Sequence, residues 1–135
     1  MNREIKFRGL TNNGTWVYGN LIQGKNGACY ICSINENPVY KNGDYWYIDS
    51  PCYVVIPETV GQFTGLKDQN GEEVYEGDVL ELNNCGLLIV CFYKGEFKLQ
   101  KLAEYHKKRN LYASISYLEF SVLRGNIYEN PNLLQ

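Results

Sequence analysis

The feature that most constrains this chain is its apolar pattern, which alternates with period two in short stretches, each ended by a turn signal. Such a pattern builds strands, because successive strand side chains point to opposite faces, and it leaves no room for a long amphipathic helix. Glu4-Ile5-Lys6-Phe7-Arg8-Gly9-Leu10 puts Ile5 and Phe7 on one face and Lys6 and Arg8 on the other. Asn12-Asn13-Gly14 tolerates the positive φ of a hairpin turn, and Thr15-Trp16-Val17-Tyr18-Gly19-Asn20-Leu21-Ile22 returns as the second strand. Gly24-Lys25-Asn26-Gly27 turns the chain into a strand over residues 28–34. Residues 35–43 are polar, contain Pro38 and are expected to form a loop. Short strands are expected over 44–48 and 53–56, set off by Pro51 and Pro57.

Around residues 57–60 lies a seam between two β layers rather than a linker, since no Gly/Ser-rich or charge-rich run accompanies it. Beyond it, Asp68-Gln69-Asn70-Gly71 is a strong turn signal. Strands over 79–82, 87–93 and 97–102 follow, joined by Asn83-Asn84-Cys85-Gly86 and Lys94-Gly95-Glu96; three strands linked this way make a meander, the building block of small barrels. Residues 103–110 suit a helical turn or a loop, 111–120 a short helix or an irregular strand, and 121–128 a closing strand. Asn130-Pro131 opens one helical turn through Leu134. The predicted fold is mainly β, in a single domain over 1–135. An N-terminal β-hairpin region covers 1–57, and a small barrel-like (SH3-like) β meander with one or two short helical turns covers 58–135.

Composition narrows the function classes. The 135 residues, 44% of them hydrophobic, suffice for one buried core. Thirteen basic residues against fifteen acidic give a net charge of −2, which argues against DNA binding driven by charge alone. The longest apolar run, Leu87-Leu88-Ile89-Val90-Cys91-Phe92-Tyr93, is far short of the ~20 residues a membrane helix needs. The N-terminus has no signal-peptide core, so the expected location is the cytoplasm, with no membrane partner. Five cysteines is an odd number without framework spacing, which reads as five reduced thiols.

Two segments are more distinctive than the rest. One runs Gly61-Gln62-Phe63-Thr64-Gly65-Leu66-Lys67-Asp68-Gln69-Asn70-Gly71-Glu72-Glu73-Val74-Tyr75-Glu76-Gly77-Asp78-Val79; the other runs Arg124-Gly125-Asn126-Ile127-Tyr128-Glu129-Asn130-Pro131-Asn132-Leu133-Leu134. With Arg3-Glu4-Ile5-Lys6-Phe7-Arg8 and Trp16-Val17-Tyr18-Gly19, they resemble the YopX family of bacteriophage and prophage proteins over essentially the whole chain. The resemblance implies a small mixed β protein of barrel-like topology carried by mobile elements in a bacterial host cell, and it implies no particular activity. Physically, Gly61, Gly65, Gly71 and Gly77 suit tight backbone corners, with Phe63 beside them and Leu66 returning to the core. Asp68 and Asp78 suit the capping of backbone amides. These residues, with Tyr75, Gly125, Asn126, Tyr128 and Pro131, read as structural.

Chemical motifs are sparse. Cys29-Tyr30-Ile31-Cys32 is a CxxC, but residues three apart in a strand face opposite ways, and Cys52, Cys85 and Cys91 form no second pair. His106 is the only histidine and sits in the basic stretch Tyr105-His106-Lys107-Lys108-Arg109, which reads as a solvated loop rather than a catalytic base. Asp68, Glu72, Glu73, Glu76 and Asp78 suggest a metal-dependent hydrolase, yet they fall in turns that favour acids anyway. The lysine of 61–67 is not followed by Ser or Thr, so no phosphate loop is present. No catalytic residue, metal or cofactor is therefore assigned. Tyr45, Trp46 and Tyr47, with Lys98, Lys101, Lys107, Lys108 and Arg109, are the candidate binding residues. As aromatics beside basic charge, they fit a barrel module for single-stranded nucleic acid. The leading reading is a non-enzymatic accessory protein acting by binding or self-assembly, its partner a second copy or a phage or host protein.

Overall fold

The computed structural model describes residues 3–33, 39–48 and 51–130, and only the backbone of 39–42 and 45–48. The chain divides into two compact units, one over residues 4–62 and one over 63–135 together with the first three residues.

In the first unit the strands are β1 (Phe7–Leu10), β2 (Trp16–Gln23), β3 (Cys29–Cys32), β4 (Val39–Asn42), β5 (Tyr45–Ile48) and β6 (Cys52–Val55). They pair antiparallel in the order β6-β3-β2-β1, and the start of β7 (Gly61–Lys67) joins beyond β1 through Phe7–Gln62 and Arg8–Gly61. Cross-strand partners share a face, so the Leu21–Ile31 and Cys29–Val55 pairings bring these side chains onto one side. There Cys29, Ile31 and Val55 form a buried core with Phe7, Val17, Leu21 and Val60 packed against it. A 3-10 turn, Pro57–Thr59, returns the chain to β1. Its Thr59 hydroxyl accepts the Leu10 N–H at 2.9 Å, and the Ile56 N–H donates to the Leu10 carbonyl at 2.8 Å.

Two expectations for this unit change. The loop expected over 35–43 contains a strand, because Val39 and Tyr40 favour extended backbone and Gly43 at φ +63° closes a tight turn that pairs Asn42 with Tyr45. Residues 35–38 of that expected loop, and residue 34 of the expected strand before it, lie outside the described residues. The five cysteines are not all reduced: Cys32 and Cys52 form a disulfide. Counting cysteines cannot reveal this bond, because it depends on the register that sets residue 32 opposite residue 52.

In the second unit β7 continues and pairs with β8 (Glu73–Tyr75) through Phe63–Tyr75 and Lys67–Glu73, with a bulge between them. The predicted meander follows as β9 (Asp78–Leu82), β10 (Gly86–Tyr93) and β11 (Glu96–Lys101). Residues 102–106 form the helix α1, and Ala113–Ser114 form the short strand β12. A 3-10 helix over Ile115–Phe120 and the strand β13 (Val122–Asn126) complete the described chain. Strand order is β12-β11-β10-β9-β13, and among the described residues no pairing between β12 and β13 closes it into a ring. The meander is present; the closed barrel is not seen.

The ambiguous stretch 111–120 resolves into strand and 3-10 helix because the Ser114 hydroxyl caps the Ser116 N–H at 3.2 Å, turning the chain so that Leu118 is fully buried. Leu118 completes a core of Val74, Leu80, Leu88, Val90 and Leu99. The helical turn expected after Asn130, with Pro131, lies outside the described residues. Among the described residues, no helix is long and apolar enough to cross a membrane.

Candidate binding surface

The distinctive motif residues of the second unit are engaged with backbone. Asp68, buried, accepts the N–H groups of Asn70 at 2.9 Å and Glu72 at 2.8 Å on one oxygen. Its other oxygen accepts the Leu123 N–H at 2.8 Å, which fastens the turn to β13. Asp78, also buried, accepts the Tyr75 N–H at 2.8 Å across the corner between β8 and β9. Gly77 occupies that corner at φ +93°; a Cβ there would lie 2.9 Å from the Tyr128 ring. The Asn126 side chain accepts the N–H groups of Tyr128 and Glu129, each at 2.9 Å. Phe63 and Tyr75 rings pack at 5.4 Å. Gly65 falls at the bulge of β7, Gly71 closes the turn after Asp68, and Gly125 marks a register shift between β13 and β9. Gly61 is buried where β7 meets β1, and Leu66 packs against the second unit's core.

Among the described residues, no three His, Cys, Asp or Glu side chains gather as a metal site. His106 is exposed at the end of α1, its ring edge-on to Tyr105. Cys91 borders a cavity of about 310 Å³ with Glu76, Gln100 and Tyr128. Burial, with the Glu76 carboxylate adding to it, pushes its thiol up to about 11, so it stays protonated and unreactive near neutral pH. Cys29 belongs to the buried core of the first unit, on the opposite face of β3 from Cys32.

The basic candidates separate. Register sets Lys101 opposite Leu88 but Lys98 opposite Cys91, so the two lysines of β11 point to opposite faces. Lys98 pairs with Glu96 at 2.6 Å, and Arg109 lies 3.7 Å from Glu104. Lys101, Lys107 and Lys108 are exposed, with no ion pair among the described residues. Tyr45, Trp46 and Tyr47 lie on β5 in the other unit, and their side chains lie outside the described residues.

Instead, the second unit contains an apolar groove of about 510 Å³. Leu82, Leu88 and Leu99 of the meander floor it, Leu111, Tyr112 and Tyr117 wall it, and Lys101, Glu104 and Cys85 stand at its margin. Leu111 is 60% exposed and Tyr117 51% exposed, so this wall is apolar surface open to water. Sequence reading missed this surface. The available signal was two apolar side chains, Leu111 and Tyr117, in a stretch too irregular to assign a face.

The model of the family described as YopX protein matches residues 6–135. Among solved structures, the crystal structure of protein EF1440 from Enterococcus faecalis is similar, with a TM-score of 0.64 and 21% sequence identity. That match covers 99% of this chain and 100% of the other, a likeness that speaks to the fold alone. No curated protein matches the chain.

Proposed function

The chain belongs to the YopX family, and from that premise we propose that it is a phage or prophage accessory protein that works by binding rather than by catalysis. Its contact surface is the groove of the second unit, and its first partner is a second copy of the chain. The observation that carries this reading is the exposure of Leu111 and Tyr117 beside a groove floored by leucines. Apolar surface in water is unfavourable by about 25 cal/mol per Å², so covering such a wall favours association. The sheet edge at β12, whose Ala113 lines the groove, offers a pairing surface in the same unit.

Size-exclusion chromatography with light scattering over a concentration series tests the reading. The expected result is an oligomer that dissociates in the Leu111→Asp variant, which alters an exposed side chain and should leave the fold intact. A monomer at every concentration overturns self-association through this groove. A second reading, a module for single-stranded nucleic acid, draws support from the exposed Lys101, Lys107 and Lys108 near Tyr105. Adding a short mixed-sequence single-stranded DNA to the same run separates the two. A monomer that shifts with DNA and releases it as salt rises reverses the ranking.

A further inference from the structure

We propose that the Cys32–Cys52 disulfide is a redox-operated clasp, which in its oxidised form pins the edge strand β6 to β3 and in its reduced form releases it. The two cysteines are direct register partners in the β3–β6 pair, with Cα atoms 4.0 Å apart. Next to them the Ser33 N–H donates to the Pro51 carbonyl at 3.0 Å. Residues 33 and 51 are therefore the hydrogen-bonded pair, and 32 and 52 the narrow pair beside it, where antiparallel side chains come closest. Pro51 has no N–H to return a second bond, so this rung of the ladder is half made. Among the described residues β6 is outermost in its sheet and pairs with β3 alone. At this end the covalent bond therefore supplements a weak piece of ladder, and it closes an excursion, residues 33–51, that carries the β4–β5 hairpin.

The two sulfurs differ in access. Cys32 is 5% exposed, and β2 crowds its backbone, since a Cβ at Gly19 would lie 2.3 Å from the Cys32 carbonyl oxygen. Cys52 is exposed at the sheet edge. A dithiol donor, of the small-molecule or protein class, therefore attacks at Cys52. Its thiolate bonds to the Cys52 sulfur, the Cys32–Cys52 bond breaks, and Cys32 leaves as a thiolate that takes up a proton. The donor's second thiolate then attacks its own first sulfur, forming the donor disulfide and releasing the Cys52 thiolate. Two electrons pass from donor to protein. Cys29 does not compete, because it faces the core on the other side of β3.

The test uses the full chain, equilibrated across dithiothreitol buffers from fully reduced to fully oxidised. Thiols are counted by alkylation in denaturant, and native chain is digested with trypsin to follow cleavage after Lys41. The expected result is three alkylated cysteines, Cys29, Cys85 and Cys91, in the oxidised form and five in the reduced form. Cleavage after Lys41 should accelerate about tenfold on reduction, and the thermal midpoint should fall by roughly ten degrees. The Cys52→Ser variant should cleave at the reduced rate whatever the buffer, while Cys29→Ser keeps the full response. If Cys52→Ser does not fold, reduction and reoxidation of the unaltered chain gives the same comparison. Five alkylated cysteines in every buffer, or equal cleavage of the two forms, overturns the proposal.

Discussion

Asp68 satisfies three backbone N–H groups with one buried carboxylate, and two of them lie in its own turn while the third belongs to β13. A charged acceptor makes these bonds stronger than neutral ones, and removing it leaves three part-buried N–H groups to find new partners. Asp68→Asn keeps one acceptor but presents an NH₂ group to an N–H donor, so it should lower stability by about 2–3 kcal/mol, read as a reduced urea midpoint. An unchanged midpoint would show that the turn is held by its backbone alone. Gly77 fails differently. Alanine there must take φ +93° and place its Cβ 2.9 Å from the Tyr128 ring, so Gly77→Ala should cost about 2–4 kcal/mol. Tyr128→Ala in the same chain should recover only the steric part. Cys91 yields a pH prediction. Its folded value, raised from 9.0 to about 11, means that the unfolded chain loses this proton first. Its contribution is intact below pH 9 and drains away between 9 and 11, so stability falls with rising pH in that window. Cys91→Ala should flatten the slope of midpoint against pH there, and an unaltered slope would assign the loss to other groups.

At the scale of elements, the 3-10 helix over 115–120 shows how one short segment divides its work. Leu118 is fully buried in the core, while Phe120 is 66% exposed. Leu118→Ala should therefore cost about 2–5 kcal/mol, and Phe120→Ser should stay within about 0.5 kcal/mol in the same urea titration. Equal losses at both positions would mean that Phe120 is covered in solution. This segment also marks where reading the sequence ran out. Strands β2 and β11 were legible because alternation and turn residues agree along their length, and β10 because a short apolar run sits between two turn signals. The 3-10 helix was not, because a single buried leucine among Ser, Tyr and Phe fits neither period, and the Ser114 cap acts through three-dimensional geometry. The strand at 39–42 hid for a related reason: a polar, proline-containing approach masked a two-residue turn at Gly43 and Asp44. The structural role of Asp68 was legible as turn chemistry, but its hold on Leu123 spans fifty-five residues and belongs to tertiary structure. The apolar groove was illegible because its floor and wall come from strands and loops that share no local pattern.

For the whole molecule the decisive quantity is charge. Thirteen basic and fifteen acidic residues leave −2, with an isoelectric point near 5.4. A protein that grips duplex DNA by neutralising phosphates releases about one counterion per contact, so its affinity falls steeply with salt. Here Lys98 and Arg109 are already engaged by Glu96 and Glu104, and Arg124 bonds to Glu81 at 2.8 Å. These pairs remove cations from the count that a polyanion could use. The chain should therefore show no duplex binding at 150 mM salt, and a salt slope shallower than about −3 where weak binding appears at low salt. Anisotropy of a labelled duplex, titrated from low to physiological salt, measures both quantities. A slope of about −5 or steeper would require several lysines to act together on one face, which the opposite directions of Lys98 and Lys101 oppose. In that case the contact must rest on Lys107 and Lys108, and substitution of both by Glu would have to abolish it.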